Sequence, residues 1–293
     1  GFRALCKQND FTSFLYERFS LPVLLKAPVL QLSEGNIVPW PMFLLDRLCF
    51  GPYDILKEQY GSDFTETFGI AFENYVKRVL DIFSEETGIA YYKESQSFGE
   101  GKTPDFYIPF EEESVLLCVE VKANRGKAFF EKREAIRYMD QIVGKGIAQS
   151  HAIWERARNG EETIISSSLK NCIPIIVTLS HFNFPNGQFY RDSLLREQKG
   201  ITGNETLQMC IDNYQVMDIG DFEILINTCV SSKLSLIDIV RKKIVEARED
   251  NWREFLSNDS NEESEIFPEI IAEYYNLFDE LIKGAQEAAN LKI

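Results

Sequence analysis

Histidine is nearly absent from this chain. Two occur in 293 residues, His151 and His181, each without a spaced partner. A zinc site needs clustered His or Cys, so none is expected. Cysteine is sparse and scattered (Cys6, Cys49, Cys118, Cys172, Cys210, Cys229), with no Cys-x-x-Cys pair. That pattern argues against a disulfide frame and for free or buried thiols in a reducing, cytoplasmic setting. No apolar run is long enough to span a bilayer. The opening GFRALCKQNDF lacks a basic stretch followed by an apolar one, so no secretory leader is expected. The chain starts on Gly rather than Met, as a tag remnant or the C-terminal part of something longer would. Internal repeats are absent. Low-complexity sequence is confined to SNDSNEESE (Ser257 to Glu265), read as a flexible acidic linker.

Positive charge is also in short supply: 31 Lys and Arg against 46 Asp and Glu, a net of −15. Taken whole, this argues against a sequence-independent coat for DNA. The distribution is uneven. Residues 121–160 hold nine Lys/Arg against four Asp/Glu, whereas residues 246–293 hold four against thirteen. A basic stretch therefore lies mid-chain and an acidic one at the end.

What is present suffices for a sizeable core: 44% of residues are apolar and 13% aromatic. Residues 1–60 combine a short helical pattern (Phe11 to Phe19) with Pro-punctuated apolar segments, LPVLLKAPVLQL and NIVPWPMFLLDRLCF. They read as a helical and extended arm. From Thr67 to Glu86 apolar residues recur at helical spacing. Strand-like runs follow at Ile89 to Lys93, Pro104 to Pro109 and Val115 to Ala123. Glu131 to Arg158 reads as a long amphipathic helix with Ile136, Met139, Val143, Ile147, Ile153 and Trp154 inward. IPIIVTLS is a buried-strand run and YQVMDIG another strand, leading into helices DFEILINTCV and SLIDIVRKKIVEARE. FPEIIAEYYNLFDELIKGAQEAANL predicts a terminal helix. The order αβββαβ implies an α/β fold, a mixed β-sheet flanked by helices. It divides into an arm (1–60), a core (61–232) and an acidic helical region (233–293).

The stretch TPDFYIPFEEESVLLCVEVKA, Thr103 to Ala123, carries the chemistry. If FEEES turns a hairpin centred between Glu112 and Glu113, Asp105 falls opposite Glu120. Their Cβ atoms then lie within about 5.5 Å. Like charges so close persist only with a cation between them or a proton on one. In the second strand Leu116, Cys118, Glu120 and Lys122 share a face. Charges at the end of an apolar strand are costly unless paired or ligated. Two carboxylates would hold a divalent metal, and hard oxygen ligands suit Mg²⁺. Upstream, Glu73 falls in the helical row Gly69–Glu73–Val76–Leu80, where it reads equally as a third carboxylate or an ordinary half-exposed Glu.

Pro104-Asp105, then Glu120-Val121-Lys122, after a helix bearing Glu73, resembles the PD-(D/E)XK nuclease superfamily over roughly residues 65–180. The resemblance implies the restriction-endonuclease-like αβββαβ core. It also implies Mg²⁺ (Mn²⁺ substituting) on Asp105, Glu120 and the backbone carbonyl of Val121. Lys122 would position the attacking water, and Glu73 would be the helix carboxylate. The family's helix Gln would be Gln141, with Gln149 competing. A second hit to the tripeptide pattern, Glu197-Gln198-Lys199, lies in a polar loop with no Pro-Asp before it, and marks what chance alone produces.

Phosphodiester hydrolysis builds negative charge that a metal and Lys122 would neutralise. Nucleic acid, DNA before RNA, would be met by Arg125, Lys127, Lys132, Arg133, Arg137, Gln141 and Lys145. Individually these basic residues read as a solvated helix face. Phe129-Phe130 would stack on bases or pack in the core. A nuclease core with long flanks looks similar to bacterial anti-phage defence effectors, and dimerisation is what the resemblance suggests. The alternatives are an RNase or a non-catalytic binding domain of a larger complex.

Overall fold

The computed structural model describes residues 29–32, 35–37, 41–93, 103–123, 140–161, 165–180, 185–188, 190–192 and 205–259. The expected helix at Phe11 to Phe19, the basic segment 124–139 and the terminal helix after residue 260 lie outside the described residues. Along the chain come β1 (Leu30–Leu32), β2 (Gly35–Ile37), α1 (Pro41–Thr87), β3 (Tyr92–Lys93), β4 (Phe106–Phe110) and β5 (Val115–Lys122). A π-helical turn (Asp140–Gly144) leads into α2 (Lys145–Arg158). Then follow β6 (Asn171–Thr178), α3 (Glu205–Asn213), β7 (Gln215–Asp218), α4 (Ile219–Ser232), α5 (Leu236–Glu246) and α6 (Trp252–Asp259). The chain divides into two compact units, residues 1–70 with 127–133 and residues 71–126 with 134–293.

In the first unit β1 and β2 form a small antiparallel ribbon, Leu30 opposite Ile37. The Pro-rich stretch read as extended becomes helix at Pro41, because a proline fits the first helical position, where its missing N–H is no loss. α1 is interrupted at Gly61, whose φ of 58° lies in the left-handed region that glycine enters without a Cβ clash. Tyr53 before the break meets Phe64 and Phe68 after it edge-on, with ring centroids 5.3 and 5.0 Å apart.

The second unit is built on a five-stranded mixed sheet of order β3-β4-β5-β6-β7. β3, β4 and β5 are antiparallel neighbours. β6 and β7 then add parallel to β5, after α2 and α3 respectively. The architecture is α/β with helices on the sheet, as the alternation of periods implies. The expected strand at Ile89 to Lys93 is reduced to Tyr92–Lys93, since Gly88 at positive φ and Ile89 still belong to the exit from α1. The hairpin register is the expected one: Phe106 faces Val119 and Phe110 faces Val115 about the acidic turn.

Every side chain from Val115 to Glu120 is buried, so both faces of β5 are covered. On one face Leu116, Cys118, Cys172 and Ile176 pack with Val143, Ile147 and Trp154, and with Cys210 and Ile211 of α3. The outer edge of β7 is closed by a side chain. Asn186 donates from Nδ2 to the Val216 carbonyl, and its Oδ1 accepts from the Val216 N–H, both at 2.8 Å. Arg191, 2% exposed, fixes that cap. Its guanidinium donates to the carbonyls of Asn186, Ile211, Asp212 and Tyr214, and it lies 4.1 Å from the centroid of the Tyr214 ring. The C-terminal orphan carbonyls of α3 are thus satisfied by a charged group. Lys243 plays a similar part at the end of α5, donating to the carbonyls of Ala247 and Asp250 beneath the rings of Trp252 and Phe255. Burial lowers its amine to about 8. α6 runs on to Asp259, so the first three residues of the expected flexible linker are helical.

Candidate functional site

Side-chain alternation puts Asp105, Glu120 and Lys122 on the sheet face that α2 covers, because Tyr107 and Cys118 of the same rows belong to the core cluster with Ile147 and Trp154. Continuing the β4–β5 register one residue beyond the Phe106–Val119 pair sets Asp105 opposite Glu120. Asp105 is locked in place: its Oδ2 accepts from the Val121 N–H at 2.7 Å. Glu120 is 2% exposed. Its Oε1 accepts from the Lys122 ammonium, while its Oε2 is buried with no hydrogen-bond partner among the described residues. A buried carboxylate oxygen left so is costly, and a bound cation is one group that would satisfy it.

Two carboxyl groups buried this close strain each other's ionisation. Burial first, then the charge of Glu120, pushes Asp105 up to about 7 against the pull of the Val121 N–H and Lys122. Burial also raises Glu120, opposed by its contacts with Lys122 and by the charge of Lys145. A divalent cation beside the pair would relieve the penalty in both.

Glu73 does not join them. It is half-buried and its Oε1 pairs with Lys93 Nζ at 2.8 Å, across α1 and β3. Its charge contributes to raising Asp105. Among the described residues no group of three His, Cys, Asp or Glu side chains could hold a metal ion. Asp105, Glu120 and the Val121 carbonyl remain as possible protein ligands. Mg²⁺ accepts such a set, since it commonly takes one or two carboxylates and keeps waters for the rest.

The two glutamines of the helix facing the pair differ in setting. Gln141 is exposed in the π-helical turn, whereas Gln149 is buried and its Nε2 donates to the Thr103 carbonyl at 3.0 Å. Gln149 therefore braces the loop that presents Pro104-Asp105. Lys145, one turn earlier, is exposed, and its charge acts on Glu120. Between them Gly146 lies against the stem of the Glu120 side chain. A Cβ there would sit 3.0 Å from Ile176 Cγ1 and 3.3 Å from Glu120 Cγ. The helix can approach Glu120 only because this position has no side chain. Gly146 was not among the expected site residues. Its one sequence signal is a glycine in the first turn of an amphipathic helix, which sequence alone does not separate from a helix end. Arg125, Lys127, Lys132, Arg133 and Arg137, with Phe129-Phe130, lie outside the described residues.

No protein family, no curated protein and no solved structure matches this chain. Among the described residues no helix is long and apolar enough to cross a membrane.

Proposed function

We propose that this protein is a Mg²⁺-dependent nuclease of the PD-(D/E)XK type, acting on DNA in preference to RNA. The observation that carries the reading is the opposed buried pair Asp105 and Glu120, with one orphaned oxygen, and Lys122 two residues further along the strand. The element order α1-β3-β4-β5-α2-β6 supports it, since the motif resemblance implies that order.

Asp105, Glu120 and the Val121 carbonyl would hold the ion. When bound, Mg²⁺ supplies a lowered pKa for its water and neutralises phosphate oxygens. The chain's own residues do the rest. The Val121 N–H fixes the Asp105 rotamer, and Gly146 admits α2 against Glu120. Gln149 braces the loop before Asp105. The Lys122 ammonium stabilises the charge that builds on the phosphoryl oxygens. Lys145, exposed on α2, meets a flanking phosphate.

The test is incubation with supercoiled plasmid, linear DNA and RNA under Mg²⁺, Mn²⁺ or EDTA, beside Lys122→Ala and Glu120→Gln. DNA cleavage that needs the ion and falls about 10³-fold in either variant, close to 4 kcal/mol of barrier, is expected. Cleavage that survives EDTA or Lys122→Ala would refute the mechanism. A second reading, a non-catalytic binding domain, draws on the net charge of −15 and on the Glu120–Lys122 pair, which neutralises the site internally. It predicts metal or nucleic-acid binding with no cleavage of any substrate.

A further inference from the structure

Lys122 occupies the position where a cation is needed. Its Nζ is bonded to Glu120 Oε1, and the side chain is only 14% exposed, so the ammonium is tucked beside the carboxylate rather than turned to solvent. Glu120 is bonded to Lys122 of its own strand and also feels the charge of Lys145 on α2. Asp105 is occupied by a backbone N–H. Glu120 Oε2 is open to a divalent ion, but an ion there sits beside the ammonium held on Oε1, so two cations share one carboxylate and repel each other.

We propose that Lys122 is a resident counter-ion that competes with the metal for Glu120, so that metal loading releases its amine toward the substrate. The inference rests on the metal-site reading above and adds an order of events to it. Without the ion, Lys122 is spent on neutralising Glu120. With the ion in place, the same ammonium, on a flexible stem, is free to meet a phosphate oxygen. One residue then serves the empty and the loaded site in turn, and substrate engagement by Lys122 follows metal binding rather than preceding it. A group whose only task is to activate water would have no reason to antagonise the ion. Opposite signs of the effect on metal affinity therefore separate the two roles.

The test is isothermal titration with MnCl₂ of the wild type, Lys122→Met and Lys122→Gln, without nucleic acid. Measurements are made at pH 8.5, where protons compete least with the metal for the two carboxyl groups. Thermal melting verifies that each variant is folded, and the glutamine variant stands in if the methionine one is not. Mn²⁺ binding about tenfold tighter in the variants, with cleavage abolished, is the expected result, comparable to removing one charge-assisted hydrogen bond from the competitor. Equal or weaker Mn²⁺ binding in the variants would overturn the competition while leaving the metal site standing. Mn²⁺ binding in none of the three proteins would overturn the metal reading itself, and this inference with it.

Discussion

Asp105 is the residue whose energetics say most about the site. A carboxyl with an ordinary value near 3.9 is held in the fold at about 7. Below pH 4 it is protonated folded or unfolded and costs nothing. As pH rises through 7 the folded state must bury a charge that the unfolded chain carries freely, so stability is lost across that window and stays lost above it. The penalty at pH 8 is on the order of 4 kcal/mol. Asp105→Asn keeps an acceptor for the Val121 N–H and removes the charge. In EDTA it should melt several degrees higher than wild type at pH 8 and equally at pH 4, while losing cleavage. Melting curves at the two pH values check this, and equal melting at pH 8 would mean the carboxyl is not strained. Gly146→Ala gives a second residue-scale expectation. Alanine favours helix by up to about 1 kcal/mol, but its methyl would meet Ile176, which is fully buried. Overpacking wins, with a net loss of about 1 kcal/mol, and kcat should fall at least about tenfold as Glu120 is displaced. Denaturant titration and single-turnover cleavage measure the two effects.

Among the elements, the hairpin was the most legible. FEEES is the one polar break in an otherwise apolar run, and a period of two then fixes both the face and the partner of Asp105. The parallel strands β6 and β7 were readable as apolar runs bounded by helical patterns for the same reason. The long helix was readable from Val143 onward: Val143, Ile147, Ile153 and Trp154 are all buried, as its period implies. The bracing role of Gln149 was not readable, because its partner, the Thr103 carbonyl, lies 46 residues away in sequence. Glu73 read two ways because its row on α1 is half apolar; its partner Lys93 arrives from β3, a long-range contact with no local signature. The clamp on α3 was equally hidden, because Arg191 serves four carbonyls brought together only by the fold. Arg191→Ala would leave those carbonyls buried or unpaired and uncover the β7 edge. A loss of about 3 kcal/mol or more is expected, seen as a lower urea midpoint. An unchanged midpoint would show the clamp to be idle.

For the whole molecule, the net charge of −15 opposes nucleic acid at long range. Binding must then depend on the local excess of Lys and Arg in residues 121–160. Affinity for DNA should fall about tenfold or more between 50 and 200 mM NaCl, as two or more phosphate contacts require. A salt-independent affinity in filter binding would contradict this. Metal should also couple to folding, since an ion bound only by the folded chain raises its melting temperature by mass action. The central claim is nonetheless local, and anomalous diffraction from crystals soaked in MnCl₂ tests it most directly. A peak within direct-ligand distance, about 2–2.5 Å, of one oxygen each of Asp105 and Glu120 is predicted, lost in Asp105→Asn. Full soaking with no peak between those two side chains, or a peak indifferent to the substitution, would contradict the account.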